Sequence, residues 1–181
     1  MQRRSLIALM SCLPILSAPA LHAQPTSPDL RSVVVMEFDF VDDQKNPATV
    51  DAQIRRLREA HVQLQRELAE RGLYRVLDPA PVGALQRRLR EQQEFMYRCD
   101  DCAHQVGAAA GADLVITAWV QKVSELILNV NLQVHDVASQ KLLLSKSVDM
   151  RSNDDVSWSR AVRYLVRDMA EKRAVNPRYG R

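Results

Sequence analysis

The sequence predicts an α/β domain built on a single mixed five-stranded sheet, with helices packed on it. The first three strands are expected to be parallel and the last three to form an antiparallel meander that shares the third. Two observations predict it. Between Ser32 and Ala112, strand-like runs alternate with segments of helical period, the crossover arrangement that parallel neighbours require. From Asp113 to Met150, three strand-like runs follow one another with only short turns between them, as antiparallel neighbours do. A third observation sets the scale. The 181 residues, 46% hydrophobic and 26% charged, suffice for one domain that buries roughly 70% of its unfolded-chain surface without a metal or disulfide to hold it.

Ser32 to Phe40 (SVVVMEFDF) is apolar and β-branched, then alternates, which reads as a buried strand. Asn46-Pro47 supplies a helix cap followed by proline at the first helical position. Val50, Ile54, Leu57, His61, Leu64 and Leu68 then recur at spacings of three and four, one apolar stripe on a helix of about six turns that Gly72 ends. Leu73 to Leu77 is a second, short strand broken by Pro79 and Pro81. Helices are expected from Val82 to Glu94 and from Cys99 to Ala110, the latter ended by Gly111. The small run Gly107-Ala108-Ala109-Ala110 would let that helix approach a sheet closely. Asp113 to Val123 is apolar almost throughout, so it reads as the central strand. Leu126, Leu128, Val130, Leu132 and Val134 alternate with Asn129, Asn131, Gln133 and His135, the pattern of a strand with one face buried. After the turn Ala138-Ser139-Gln140, Leu142, Leu144, Val148 and Met150 continue on a partner strand. Asn153 or Asp154 caps a last helix carrying Trp158, Val162, Leu165 and Met169 on one face, and residues 173–181 read as a loose basic tail.

The first 23 residues have the three parts of a secretory signal peptide: Arg3 and Arg4, a short apolar run from Leu6 to Leu16, and small residues ending at Leu21-His22-Ala23. The apolar run is interrupted by Pro14 and Pro19 and is far shorter than the ~20 residues of a membrane-spanning helix. Cleavage after Ala23 leaves residues 24–31 as a polar leader, residues 32–172 as one domain and residues 173–181 as the tail. Leu9-Met10-Ser11-Cys12 is a poor lipobox, so lipidation at Cys12 is not expected. Losing Arg3 and Arg4 lowers the net charge from +3 to +1, with 23 basic against 22 acidic residues, too even a balance for a nucleic-acid protein held by bulk charge. The expected location is the periplasm, with no transmembrane span in the mature chain.

Gly111-Ala112-Asp113-Leu114-Val115-Ile116-Thr117, following a small-residue helix, resembles a strand of the curli-secretion lipoprotein and TolB amino-terminal-like superfamily. Ser32 to Phe40 resembles the opening strand of the same group. Trp119 to Val123, Leu126 to Asn131, the Val134-x-Asp136-Val137 run, Cys99-Asp100-Asp101-Cys102 and Ser157-Trp158 resemble, more closely still, a family of secreted proteobacterial proteins known as a domain of unknown function. The resemblance runs from about Arg31 to Glu171. It implies the α/β fold, an envelope location and an envelope protein as partner. It implies no reaction, and the short connections here lack the hairpin segments from which curli channels build a barrel.

The mature chain carries two cysteines, Cys99 and Cys102, and in an oxidising compartment they are expected to form a disulfide. Three uses of the pair stand side by side: a local staple, a thiol–disulfide exchange site, and a metal site completed by His104 with Asp100 or Asp101. Asp100 and Asp101 oppose thiolate formation, and Ala103 before His104 breaks the haem-attachment pattern. Glu37, Asp39, Asp42 and Asp43 cluster at the end of the first strand, where open sheets bind ligands, and form a possible ligand or metal loop. His61 lies on an apolar stripe and reads as a boundary histidine rather than a base. No phosphate loop, dinucleotide fingerprint, zinc-protease motif or nucleophile elbow occurs, so no catalytic residue and no cofactor is expected. Asn129, Asn131, Gln133 and His135 form an amide-rich strand face suited to docking a partner or lying under the last helix. The expectation is a secreted, periplasmic, non-catalytic binding or envelope-assembly accessory module. The alternative is a periplasmic thiol–disulfide oxidoreductase or metal-handling protein using Cys99 and Cys102.

Overall fold

Alternation along one central strand organises the molecule. The computed structural model describes residues 30–181 apart from Lys45 and Asp100; the expected signal peptide, Cys12 and most of the polar leader lie outside those residues. The strands are β1 (Ser32–Val35), β2 (Asp39–Asp42), β3 (Arg75–Val76), β4 (Leu114–Ser124), β5 (Ile127–Asp136) and β6 (Leu142–Met150). The helices are α1 (Val50–Glu70), α2 (Gly83–Arg90), α3 (Cys102–Ala109) and α4 (Asp155–Val175). The sheet order is β3-β1-β4-β5-β6, with β2 also on β4. β1 runs parallel to β3 and β4, and β4, β5 and β6 are antiparallel, so the mixed sheet and its meander are as expected.

The strand count differs by one, because the expected single strand Ser32–Phe40 is broken. Val35 lies opposite Ile116 but Asp39 lies opposite Trp119, so four steps on one strand face three on the other. The extra residue reverses the alternation, as a bulge does. Val33 and Val35 face one core while Val34 and Met36 face the other; past the break Phe38 faces the first core again and Asp39 is turned to the opposite side. The buried side chain of Gln86 accepts from the Glu37 N–H at 3.1 Å, satisfying a donor that the break displaces from the ladder.

The two faces of the sheet are covered unequally. Even-numbered residues of β4 and β5, from Leu114 to Val120 and from Leu128 to Val134, join Val33 and Val35 beneath α1 and α4. Leu64 and Leu68 of α1 and Trp158, Val162, Leu165 and Met169 of α4 complete this core, each one at most 2% exposed. The stripe on α1 is therefore real, but its first positions overhang the sheet: Val50 and Ile54 stay exposed beside Phe40. On the other face a smaller core of Val34, Met36, Val106, Val115 and Cys102 sits beneath α2 and α3. Gly107 makes the close approach of α3 possible, since a Cβ there would lie 2.5 Å from Val137 and 3.3 Å from Val115.

Capping follows the expected chemistry with small shifts. Asn46 caps a 3-10 turn, Pro47–Thr49, that leads into α1, accepting from the Ala48 N–H at 3.0 Å. Asp154, not Asn153, caps α4 through the Ser157 N–H at 2.7 Å. α2 stops at Arg90 and α3 starts only at Cys102, both shorter than expected, because a 3-10 turn, Met96–Arg98, occupies part of the segment between them.

The C-terminal segment is not loose. Arg173 is buried at the end of α4 and donates to the carbonyls of Leu73, Tyr179 (2.9 Å) and Gly180 (3.1 Å). Its guanidinium also lies 4.4 Å from the centre of the Tyr74 ring, and the Tyr74 hydroxyl donates to the Gly180 carbonyl at 2.5 Å. Composition marked this segment as basic and polar; one arginine with three backbone acceptors folds it back onto β3. Replacing Arg173 with Met takes this donor from the Leu73 and Tyr179 carbonyls, while Gly180 keeps the Tyr74 hydroxyl, and is expected to cost about 3 kcal/mol in urea titrations, with the last residues becoming open to carboxypeptidase.

At the end of β5, Asp136 receives Arg31 at 2.5 Å and both the N–H and hydroxyl of Ser139 at 2.7 Å. The Arg31 hydrogen bond, followed by those from Ser139, pulls its pKa from 3.8 to about 2. A carboxylate held lower in the folded state stabilises the fold above its unfolded pKa, and the benefit disappears as pH falls toward the folded value. Asp136→Asn is thus expected to lower stability at pH 7, with the deficit closing between about pH 4 and pH 2 in denaturant titrations.

Candidate binding face

Odd-numbered residues of β5 point away from α1 and α4. Registers place Gln121, Asn129 and Asp149 in one row across the sheet, Trp119, Asn131 and Ser147 in the next, and Thr117, Gln133 and Ser145 in a third. α2 and α3 cover this side over β1, the start of β4 and the end of β5, and Thr117 is buried there; the other members of the rows are half-buried or exposed and form a polar face that does not lie under the last helix. Asn131 donates to the Asn129 side-chain oxygen at 2.5 Å, and His135 lies 3.3 Å from the Gln133 oxygen, so the amides are ordered along the strand. Burial first, and neighbouring His104 second, lower the His135 pKa, so the ring is neutral at pH 7. Asp149 is the only charged member of the three rows. The face offers neutral donors and acceptors, a chemistry for recognising polar, uncharged groups.

An aromatic step borders it. Trp119 on β4 stacks on Tyr97 with ring centres 4.1 Å apart and planes 9° from parallel. Tyr97 belongs to the 3-10 turn before α3, and Arg98 lies 5.3 Å above the same ring. The position of Trp119 on the polar side was accessible from strand parity. Tyr97 was not, since no periodicity marks a residue in an irregular turn. On the α3 side, His104 meets His135 edge-on at 5.7 Å, with its Nδ1 buried and unpaired among the described residues.

Cys99 and Cys102 form the expected disulfide at the root of this step, joining the turn that carries Tyr97 to the first residue of α3. Cys102 is 1% exposed and belongs to the smaller core. His104 points toward His135, not toward the sulfurs.

The four acidic residues at the end of the first strand are separated by the break in it. Glu37 is exposed. Asp39, 2% exposed, turns under the turn before α3, where Arg90 donates to it at 2.6 Å and the Tyr97 N–H at 2.9 Å. Burial raises its pKa, against the opposing pull of those two donors. Asp42 pairs with Lys122 at 3.3 Å on the opposite side, and Asp43 is exposed. Lys122 is fully buried and also meets Glu125 at 2.7 Å; desolvation opposes its charge, but the hydrogen bonds it donates to Glu125 and Asp42 prevail and raise its pKa. Asp39 and Asp42 thus act as counter-ions for structural cations. Among the described residues no group of three or more His, Cys, Asp or Glu side chains is placed to hold a metal ion.

With the geometry described, the kinship of the chain is clear. A family model, DUF3280, described as "Protein of unknown function (DUF2380)", matches residues 31–169. The chain belongs to this family. No curated protein matches its sequence. Among solved structures, the NMR structure of E. coli LpoB is similar over 84% of this chain and 86% of that one, at 13% identity and a TM-score of 0.51. A PelC dodecamer from Paraburkholderia phytofirmans is similar over 78% of this chain and 90% of that one (12% identity, TM-score 0.41). TolB from Acinetobacter baumannii is similar over 82% of this chain and 29% of that one (12% identity, TM-score 0.43). At these identities the likeness is one of fold. No helix among the described residues of this DUF3280 member is long and apolar enough to cross a membrane.

A disulfide closing a four-residue loop contributes about 2 kcal/mol by loop entropy. The double variant Cys99→Ser, Cys102→Ser is expected to lose about that much in urea titrations and to keep the far-UV spectrum of the parent.

Proposed function

We propose that this protein is a secreted, periplasmic, non-catalytic binding module that serves envelope assembly, and that the open polar face of β4, β5 and β6 is where it holds its partner. The observation that carries the reading is that face. Amide and hydroxyl side chains, with Asp149 as the one charged member, lie half-buried or exposed beside an ordered Trp119–Tyr97 stack, on a sheet whose other side packs against α1 and α4. Ordered side chains lose little rotamer freedom on binding, which favours recognition by a rigid surface.

Two further observations support it. The three-part pattern of residues 1–23 points to export. The fold is shared with LpoB, and the sequence resembles a superfamily of envelope proteins. The three described histidines do not favour catalysis: His61 faces the Val35 carbonyl, His135 faces the Gln133 amide, and His104 packs edge-on against His135, with no hydroxyl or thiol hydrogen-bonded to any of them. The oxidoreductase alternative has less support: Cys102 is 1% exposed in the smaller core, which leaves the half-buried Cys99 as the sulfur open to exchange, and the acidic residues between the two cysteines in sequence oppose thiolate formation.

Mild cross-linking in whole cells followed by purification from the periplasmic fraction is the test. A discrete protein adduct is expected, and Asn131→Arg, which sets a long cation among the amides, is expected to abolish it without lowering the thermal midpoint. Recovery of the chain in the cytosol, or an adduct indifferent to Asn131→Arg, would overturn the reading.

A further inference from the structure

We propose that the free edge of β6, with the cleft between it and α4, is a second docking site that takes an extended peptide segment bearing a carboxylate side chain. The inference goes beyond the preceding one: it concerns the backbone edge of β6 and the cleft on its α4 side, which adjoin the polar face along β6, and it stands whether or not that face binds a partner.

β6 ends the sheet, and no described strand pairs with its outer side. Its register with β5 is unbroken from Leu144 to Met150, the one irregularity lying before it at Val134/His135. The Asp136 N–H donates to the Lys141 carbonyl, so even-numbered residues of β5 direct their backbone groups at β6. The ladder then places the N–H and C=O of Leu144, Lys146, Val148 and Met150 toward β5 and turns those of Ser145, Ser147 and Asp149 outward. A free edge of this kind is a template for another strand, and proteins ordinarily blunt it with proline, a bulge or a lysine. The segment Leu144–Met150 has no proline and no bulge, and its one lysine, Lys146, is drawn under the sheet to Asp168.

A cleft of about 500 Å³ runs beside this edge. Val148 and Met150 form its floor, Ala161 and Tyr164 of α4 its wall, and Arg151 and Arg160 border it. A strand added to β6 sends alternate side chains toward α4, into this space. Tyr164 is 49% exposed and supplies an apolar surface for one of them. Arg151 and Arg160 are exposed and make no ion pair or hydrogen bond among the described residues. Arg58, Arg75, Arg87 and Arg88 likewise have no side-chain ion pair or hydrogen bond among the described residues, so what marks Arg151 and Arg160 is that both border one cleft beside an open sheet edge. Ser147, Asp149 and Ser157 complete the lining, so two unpaired guanidinium groups face one carboxylate there, and the excess positive charge favours a carboxylate on the occupant. The two guanidinium groups also disfavour a second copy of this chain, because pairing two β6 edges about a two-fold axis brings both copies' Arg151 and Arg160 to the same side of the joined sheet.

The test is a phage-displayed library of random peptides, panned against the full chain. Recovered sequences are then titrated as labelled synthetic peptides by fluorescence anisotropy. Enriched peptides are expected to share Asp or Glu, and exchanging that residue for Lys is expected to weaken binding at least about tenfold. Ser147→Pro deletes an outward N–H at a place where an edge strand tolerates proline, and Arg160→Glu reverses a border charge; each is expected to weaken binding about tenfold with the thermal midpoint retained. Asn131→Arg on the polar face is expected to leave it unchanged. The proposal fails if no peptide is enriched over a blank surface, if enriched peptides lack a carboxylate, or if Ser147→Pro and Arg160→Glu bind as the parent does. It fails equally if the chain sediments as a dimer that Ser147→Pro dissociates, since the edge is then filled by a second copy.

Discussion

The alternation of side chains along β4 constrains everything around it. β4 pairs with β1 and β2 on one side and β5 on the other, so its register sets which residues of all four strands share a face. A slip of one residue would send Ile116, Ala118 and Val120 to the open side and Thr117, Trp119 and Gln121 into the main core. Burying one such aliphatic side chain contributes about 2 kcal/mol, and several would be lost together, so the register has no close competitor. The polar face exists because the same alternation that fills one side leaves amides on the other.

Charged side chains secure the places where this regular pattern stops. Where the first strand breaks, Asp39 turns to Arg90 and the Tyr97 N–H. Where β4 ends, Lys122 is buried between Asp42 and Glu125. Where α4 ends, Arg173 gathers three carbonyls. Removing one partner of such a buried arrangement strands a desolvated group at a cost of about 3 kcal/mol or more, whereas the exposed pairs of α1, such as Arg66–Glu70, contribute ~0–1 kcal/mol. The acidic cluster after the first strand thus serves the fold: two of its four members neutralise cations on opposite sides of the sheet.

The two proposed surfaces arise from one topological fact. The meander β4-β5-β6 extends the sheet past α2 and α3, which reach only its first part, so much of one face has no helix over it, and it terminates in a strand with no described neighbour on its outer side. α4 covers the other face and forms a wall beside the final edge. A polar face and a bordered edge are different chemistries, one reading side chains and the other backbone, so they can serve different partners.

Local periodicity by itself determined much of this protein. The alternation of Leu128, Val130, Leu132 and Val134 with Asn129, Asn131, Gln133 and His135 specified both the buried and the polar side of β5, and the stripe on α1, the α4 face and the crossover order specified the mixed sheet. Cys99 and Cys102 were legible as a disulfide because they lie three residues apart and the expected export of the chain favours oxidation. Tertiary structure alone decided the one-residue break at Met36–Phe38, the partition of the acidic residues, the Tyr97–Trp119 stack, the docking of residues 173–181 and the free edge of β6. Each depends on groups distant in sequence meeting in space, such as Gln86 with Glu37, Arg173 with Leu73 and α4 beside β6. A repeat of two or 3.6 residues records which way a side chain points, and carries no information about what stands opposite it.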